Sequence, residues 1–182
     1  MKKAMLAPLL ILCLLLGGCA NKNEALFRSF SSELRGRNDL TATAEVRAED
    51  DEKSCRFTLR YTEDGEGGCT VEVLDPALIR GVKARMSADG TKLVYEDVAV
   101  DTGSDGGSGL SPMGALPLLM RALRDGALDS AWKESGNLAV SLRPEDGVEL
   151  TVLFDAGMKP DYAEITHEGK AVLFIEIGES NF

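Results

Sequence analysis

Short runs of alternating apolar and polar residues, broken by charged and glycine-bearing turns, fill most of the chain, and this pattern predicts strands. Phe57, Leu59 and Tyr61 fall on one face of such a run, and Val148, Leu150, Val152 and Phe154 on one face of another. Strands are predicted over residues 40–49, 54–62, 68–75, 79–87 and 91–100, then over 137–143, 148–155, 161–167 and 170–177. The breaks are turn signals: Asp64-Gly65-Glu66-Gly67-Gly68, Asp75-Pro76, Asp89-Gly90, Glu145-Asp146-Gly147 and Glu168-Gly169. Such short connections make an antiparallel meander with one buried face.

Two segments leave the period of two. In 24–36, Phe27, Phe30 and Leu34 recur at three and four residues and Gly36 supplies a stop. In Pro112–Asp125, Met113, Leu116, Leu119, Met120 and Leu123 form a wide apolar stripe. Ser111 suits the N-cap and Pro112 the first helical position, whereas Pro117 should kink the helix or limit its first turn. A curved meander of about nine strands leaves an apolar concave face that needs cover. The expected fold class is therefore α+β: a curved antiparallel sheet, an incomplete β-barrel, covered by helices. The second helix then has two readings. It is a plug in the core, or a movable lid whose five stripe residues wall an apolar ligand groove. Gly103 to Gly109 would supply the flexible entry to it.

The first residues do not belong to this pattern. Lys2 and Lys3 precede an apolar stretch of about a dozen residues, too short to span a bilayer but suited to a signal peptide. It ends in Leu16-Gly17-Gly18-Cys19, which resembles the bacterial lipobox, where small residues enter the cleavage pocket and the Cys thiol accepts a diacylglycerol. The expected organisation is a lipoprotein signal peptide over 1–18, a lipidated Cys19 with a short polar tether over 19–23, and one domain over 24–182. Ala20, rather than Asp, follows the Cys, so the enterobacterial signal for inner-membrane retention is missing. The protein should be exported and anchored on the outer face of the cell membrane, or in an outer membrane where the cell has one.

Charge narrows the partners. The net charge is −10, and loss of Lys2 and Lys3 with the leader makes it more negative. Such acidity argues against nucleic acid and against electrostatic adhesion to anionic lipid. Attachment to the membrane would rest on acyl chains, at about 0.8 kcal/mol per buried CH2.

Candidate chemistry is sparse. Asp101-Thr102-Gly103 after an apolar strand resembles the aspartic-protease signature, which would require a dimer to pair the carboxylates, and the glycine-rich stretch after it departs from that pattern. Asp101 and Asp105 share the spacing of a calcium loop, but Gly103 and Pro112 stand where carboxylates are needed. His167, the single histidine, lies beside a turn without a nucleophile motif. No catalytic residue, metal site or dissociable cofactor is expected; the covalent group is the diacylglycerol of Cys19. Cys55 and Cys69 are the disulfide candidates, bridged within the chain, bridged between chains, or free. A turn centred near Gly65 would leave them too far apart, and a slipped one would bring them opposite. Trp132 reads as a covering aromatic.

The order of elements carries a resemblance. Lipobox, short helix, five strands, a proline-bearing apolar helix and four strands resemble the LolA/LolB-like lipoprotein-carrier family. The stretch CTVEVLDPALIRGVKARMSADGTKLVYEDV is similar to that family's strand ending in Pro, next strand, dipeptide turn and aromatic-bearing strand, and LSPMGALPLLMRAL stands where the family has its covering helix. The same fold is shared by GerS-like germination lipoproteins. The resemblance implies a non-enzymatic, membrane-anchored protein that binds acyl chains or a segment of an envelope protein, with roles in envelope assembly or spore germination. The other classes are a dimeric aspartic protease using Asp101 and a purely structural envelope module.

Overall fold

Eleven antiparallel strands, rather than nine, pair into one sheet in the order β6-β5-β4-β3-β2-β1-β11-β10-β9-β8-β7. The computed structural model describes residues 22–50, 53–103 and 110–182. The lipobox and residues 104–109, expected as the flexible entry to the covering helix, lie outside these. Helix α1 (Lys22–Arg35) leads into β1 (Thr41–Asp50), β2 (Lys53–Glu63) and β3 (Cys69–Asp75). A 3-10 turn, Ala77–Ile79, precedes β4 (Lys83–Ser87), β5 (Gly90–Tyr95) and β6 (Val98–Gly103). Helix α2 (Pro112–Asp125) is followed by β7 (Ala127–Glu134), β8 (Asn137–Glu145), β9 (Val148–Phe154), β10 (Pro160–His167) and β11 (Lys170–Ser180).

The two extra strands have local causes. The run predicted over 91–100 is a hairpin, because Glu96 takes a left-handed φ of 51° and turns the chain into β6. Strand β7 escaped prediction because Ala131 is its only buried residue, so no apolar alternation marks it. Trp132 on that strand lies across from the fully buried Ala139 of β8, on the convex side.

Register shows which face is the inner one. Ala42, Ala44 and Val46 of β1 stand opposite Tyr61, Leu59 and Phe57 on one side and opposite β11 on the other, where Ala44 meets Ile177 and Val46 meets Ile175. This face continues through Ala163, Val152 and Val140 across the later strands. Nearly all of these residues are below a tenth exposed. Phe154 closes one end, with the rings of Phe27 and Phe30 of α1 packed edge-on at 6.3 and 5.1 Å. Burying each such large apolar side chain contributes about 1.5–3 kcal/mol, and this layer holds the helices to the sheet.

Candidate functional site

Helix α2 forms where the sequence predicted. Ser111 caps it, its Oγ accepting from the Gly114 N–H at 3.1 Å, and Pro112 occupies the first turn. Pro117 lies inside a helix that runs on unbroken to Asp125. At the far end Gly126 donates to the Ala122 carbonyl at 2.8 Å, and a Cβ there would fall 2.5 Å from that oxygen, so glycine is needed for the close approach.

Of the five stripe residues, Leu116, Leu119, Met120 and Leu123 are at most 1% exposed and belong to the central core; Met113 packs against it, half-buried. Ala115, Leu118 and Ala122 are buried as well. The open cavities next to α2 are instead bordered by Pro117, Leu118 and Arg121. One of about 420 Å3 reaches Met86 and Thr91, and one of about 270 Å3 reaches Tyr61, Glu63 and Cys69. A third, about 310 Å3, lies between α1 and the C-terminus, among Leu26, Phe30, Met158 and Phe182.

A polar clamp holds α2 down. Arg124 donates through Nη1 to Glu63 Oε1 at 2.6 Å and through Nη2 to Oε2 at 2.8 Å. The same guanidinium donates to the carbonyls of Arg37, at 2.8 Å, and Leu34, at 3.3 Å. Tyr61 Oη and the Leu40 N–H donate to the same carboxylate, at 2.8 and 3.2 Å. Ser31 Oγ of α1 donates to the Arg124 carbonyl at 2.7 Å, and Arg35 pairs with Asp125 at 3.1 Å. One side chain thus joins the ends of both helices to β2. Burial alone would raise the Glu63 carboxyl, but hydrogen bonds from Arg124, Tyr61 and the Leu40 amide outweigh it and hold it below its ordinary range. Burial, with the neighbouring Cys69 and Glu63, pushes the Tyr61 phenol up. Sequence reasoning missed this clamp because 61 positions separate Glu63 from Arg124. A basic residue in a last helical turn signals the helix dipole, not a partner.

Beyond α2 the inner face runs on without a covering helix among the described residues. Val71 of β3 pairs with Ala84, Ala84 with Leu93, Leu93 with Val100, and Tyr95 with Val98, so all share the concave side. Ala84 is buried, but Leu93, Tyr95, Val98 and Val100 are 36, 45, 63 and 54% exposed. These four residues form an apolar wing that continues the core surface into solvent. All four fall within the single run predicted over 91–100, and it is the Glu96 turn that splits this run into two strands with one shared face.

The remaining candidates separate. Asp101 stands exposed on the convex side, opposite Lys92. Among the described residues no group of three or more His, Cys, Asp or Glu side chains could hold a metal ion. The intrachain Cys55–Cys69 bridge is excluded. Cys69 lies opposite Glu63 at one end of β2 and Cys55 sits near the other, about 26 Å away at 3.3 Å per residue. Both thiols are free. Burial and the carboxylates of Glu63 and Asp64 push the Cys69 thiol up to about 11.

An open, curved sheet with a helix in its concave face invites comparison with solved structures. A LolA superfamily protein from Nitrosomonas europaea superposes with a TM-score of 0.53 at 10% identity, over 88% of this chain and 93% of that one. The fold is LolA-like. A chain of the CwlD amidase–GerS lipoprotein complex from Clostridioides difficile matches with a TM-score of 0.50 at 14% identity, over 87% of this chain and 95% of that one. No family model matches the sequence, and no curated protein matches it. At these identities the LolA-like likeness speaks for fold alone.

Proposed function

We propose that this protein is a non-catalytic, lipid-anchored envelope protein that binds a hydrophobic ligand or an apolar partner segment on its concave face. The observation that carries this reading is the wing: an apolar inner surface that extends past its covering helix onto Leu93, Tyr95, Val98 and Val100. A contiguous apolar patch of this kind, rimmed by charge, marks a binding surface. The clamp from Arg124 to Glu63 adds a second element, a helix held over the same face by polar bonds that a ligand could exchange for apolar contact. Membership of an exported lipoprotein class is supported by the lipobox and by the lipoprotein complex among the structural neighbours.

A purely structural role is favoured by one observation, the complete burial of Leu116, Leu119, Met120 and Leu123. Native mass spectrometry of the detergent-extracted protein separates the two readings. Ligand binding predicts lipid adducts beyond the covalent diacylglycerol, reduced at least about tenfold in L93D and Y95D, with an unchanged melting temperature. A spectrum free of adducts in the wild-type chain, with no adduct regained on adding long-chain fatty acid, leaves the structural module.

A further inference from the structure

The two edges of the sheet differ. At one edge, β7 is packed against by helix α1. At the other, no strand among the described residues pairs with the outer side of β6. An open edge presents a row of backbone donors and acceptors, and proteins usually guard it with lysine, proline or a covering element. Strand β6 reads Val98-Ala99-Val100-Asp101-Thr102-Gly103, with neither lysine nor proline. Its inward side chains are among the most exposed large apolar residues of the structure.

We propose that the outer edge of β6 is an interaction surface that accepts an extended segment of another protein as a further antiparallel strand, the segment alternating apolar and basic residues. Strand addition satisfies the backbone groups of the edge, and alternate side chains set the specificity. Apolar residues of the incoming strand would extend the surface of Tyr95, Val98 and Val100 on the concave side. Those between them point to the convex side, where Asp101 lies on β6. Asp89, Glu96 and Asp97 in the adjoining turns are exposed too, so that four carboxylates stand against two nearby basic residues, Lys92 and Arg85, on the neighbouring strands. This acidity selects basic side chains. It also disfavours a second copy of the chain, which would bring the same carboxylates and a net charge of −10 to the edge. The proposal rests on the reading that the concave face binds apolar chains, and it names the partner class.

The test uses the full chain in detergent micelles and, as probe, a synthetic peptide of about ten residues alternating lysine and valine. Fluorescence anisotropy should show saturable binding that weakens steeply between about 0.05 and 0.5 M salt. Amide exchange of residues 98–102 should slow on binding. A peptide alternating glutamate and valine should fail to bind. The paired substitution V98K/V100K, at exposed positions, should weaken binding at least about tenfold with an unchanged melting temperature. Equal binding of the glutamate peptide, no added protection of β6, or a β6-protected homodimer in the absence of peptide would each overturn the proposal. Lipid adducts in the native mass spectrum, with peptide binding absent, would overturn this inference and leave the ligand-binding reading standing. Loss of both would remove that reading as well.

Discussion

Glu63 and Arg124 show how one residue pair can join two helices to a strand. Their side chains are only 6% and 20% exposed; the pair is bidentate, Arg124 also donates to two backbone carbonyls, and Glu63 also accepts from Tyr61 and the Leu40 amide. Removing one partner strands the other, so Arg124→Ala should cost about 2–4 kcal/mol, below the range for a fully buried pair because Arg124 retains some contact with water. The pH dependence follows from the direction of the Glu63 shift. Its folded-state value lies below the unfolded one, about 4.3, so its contribution is complete above that value and is lost as pH falls through the folded value. Thermal unfolding of Glu63→Gln should therefore show a lower stability at neutral pH and a shallower loss as pH falls below about 4.3 than the wild type. Parallel acid profiles in the two proteins would show that the pair does not contribute.

Helix α2 combines features that seldom coincide. It buries eight residues, yet carries an internal proline and is tied at its C-terminal end by the clamp. Pro117 removes one backbone hydrogen bond from the helix interior and thereby lowers the helix's own stability, so its packing and clamp hold it in place. Leu123→Ala, at a fully buried site, should cost about 2–5 kcal/mol in chemical denaturation. If the helix also leaves the concave face to admit a ligand, its amides should exchange faster than those of β1 and β11 and slow on adding fatty acid. Helix amides as protected as the central strands, and unaffected by fatty acid, would confine α2 to a plug.

For the whole molecule, attachment and shape act together. Helix α1 starts at Lys22, three residues after Cys19, so a diacylglycerol on that cysteine would hold the sheet close to the bilayer surface. Cys19→Ala should abolish incorporation of labelled fatty acid and leave the leader uncleaved, read by autoradiography and by the mass of the chain. Unchanged labelling and processing would overturn the lipobox reading. The open sheet supplies two further surfaces to such a tethered protein, a concave apolar wing and a strand edge unpaired among the described residues, both on the β5–β6 side and away from the α1-packed edge.

Local pattern was enough for the elements. The period-two runs around Phe57 and Leu150, the stripe from Met113 to Leu123, the Ser111-Pro112 start and the Asp-Gly turns each act over a few residues, so the sequence by itself determined the helices, most strands and the α+β class. Strand β7 and the Glu96 turn were hidden because an exposed edge strand and a two-residue turn leave little apolar signature. What the tertiary structure alone decided depends on which distant residues meet. It placed Cys69 across from Glu63 and so separated the two thiols by the length of β2. It brought Arg124 to Glu63, and it decided where cover by α2 ends, leaving Leu93, Tyr95, Val98 and Val100 outside. The physical reason is that apolar alternation fixes which side chains share a face, while burial of that face depends on the register of non-local pairing and on the reach of one helix.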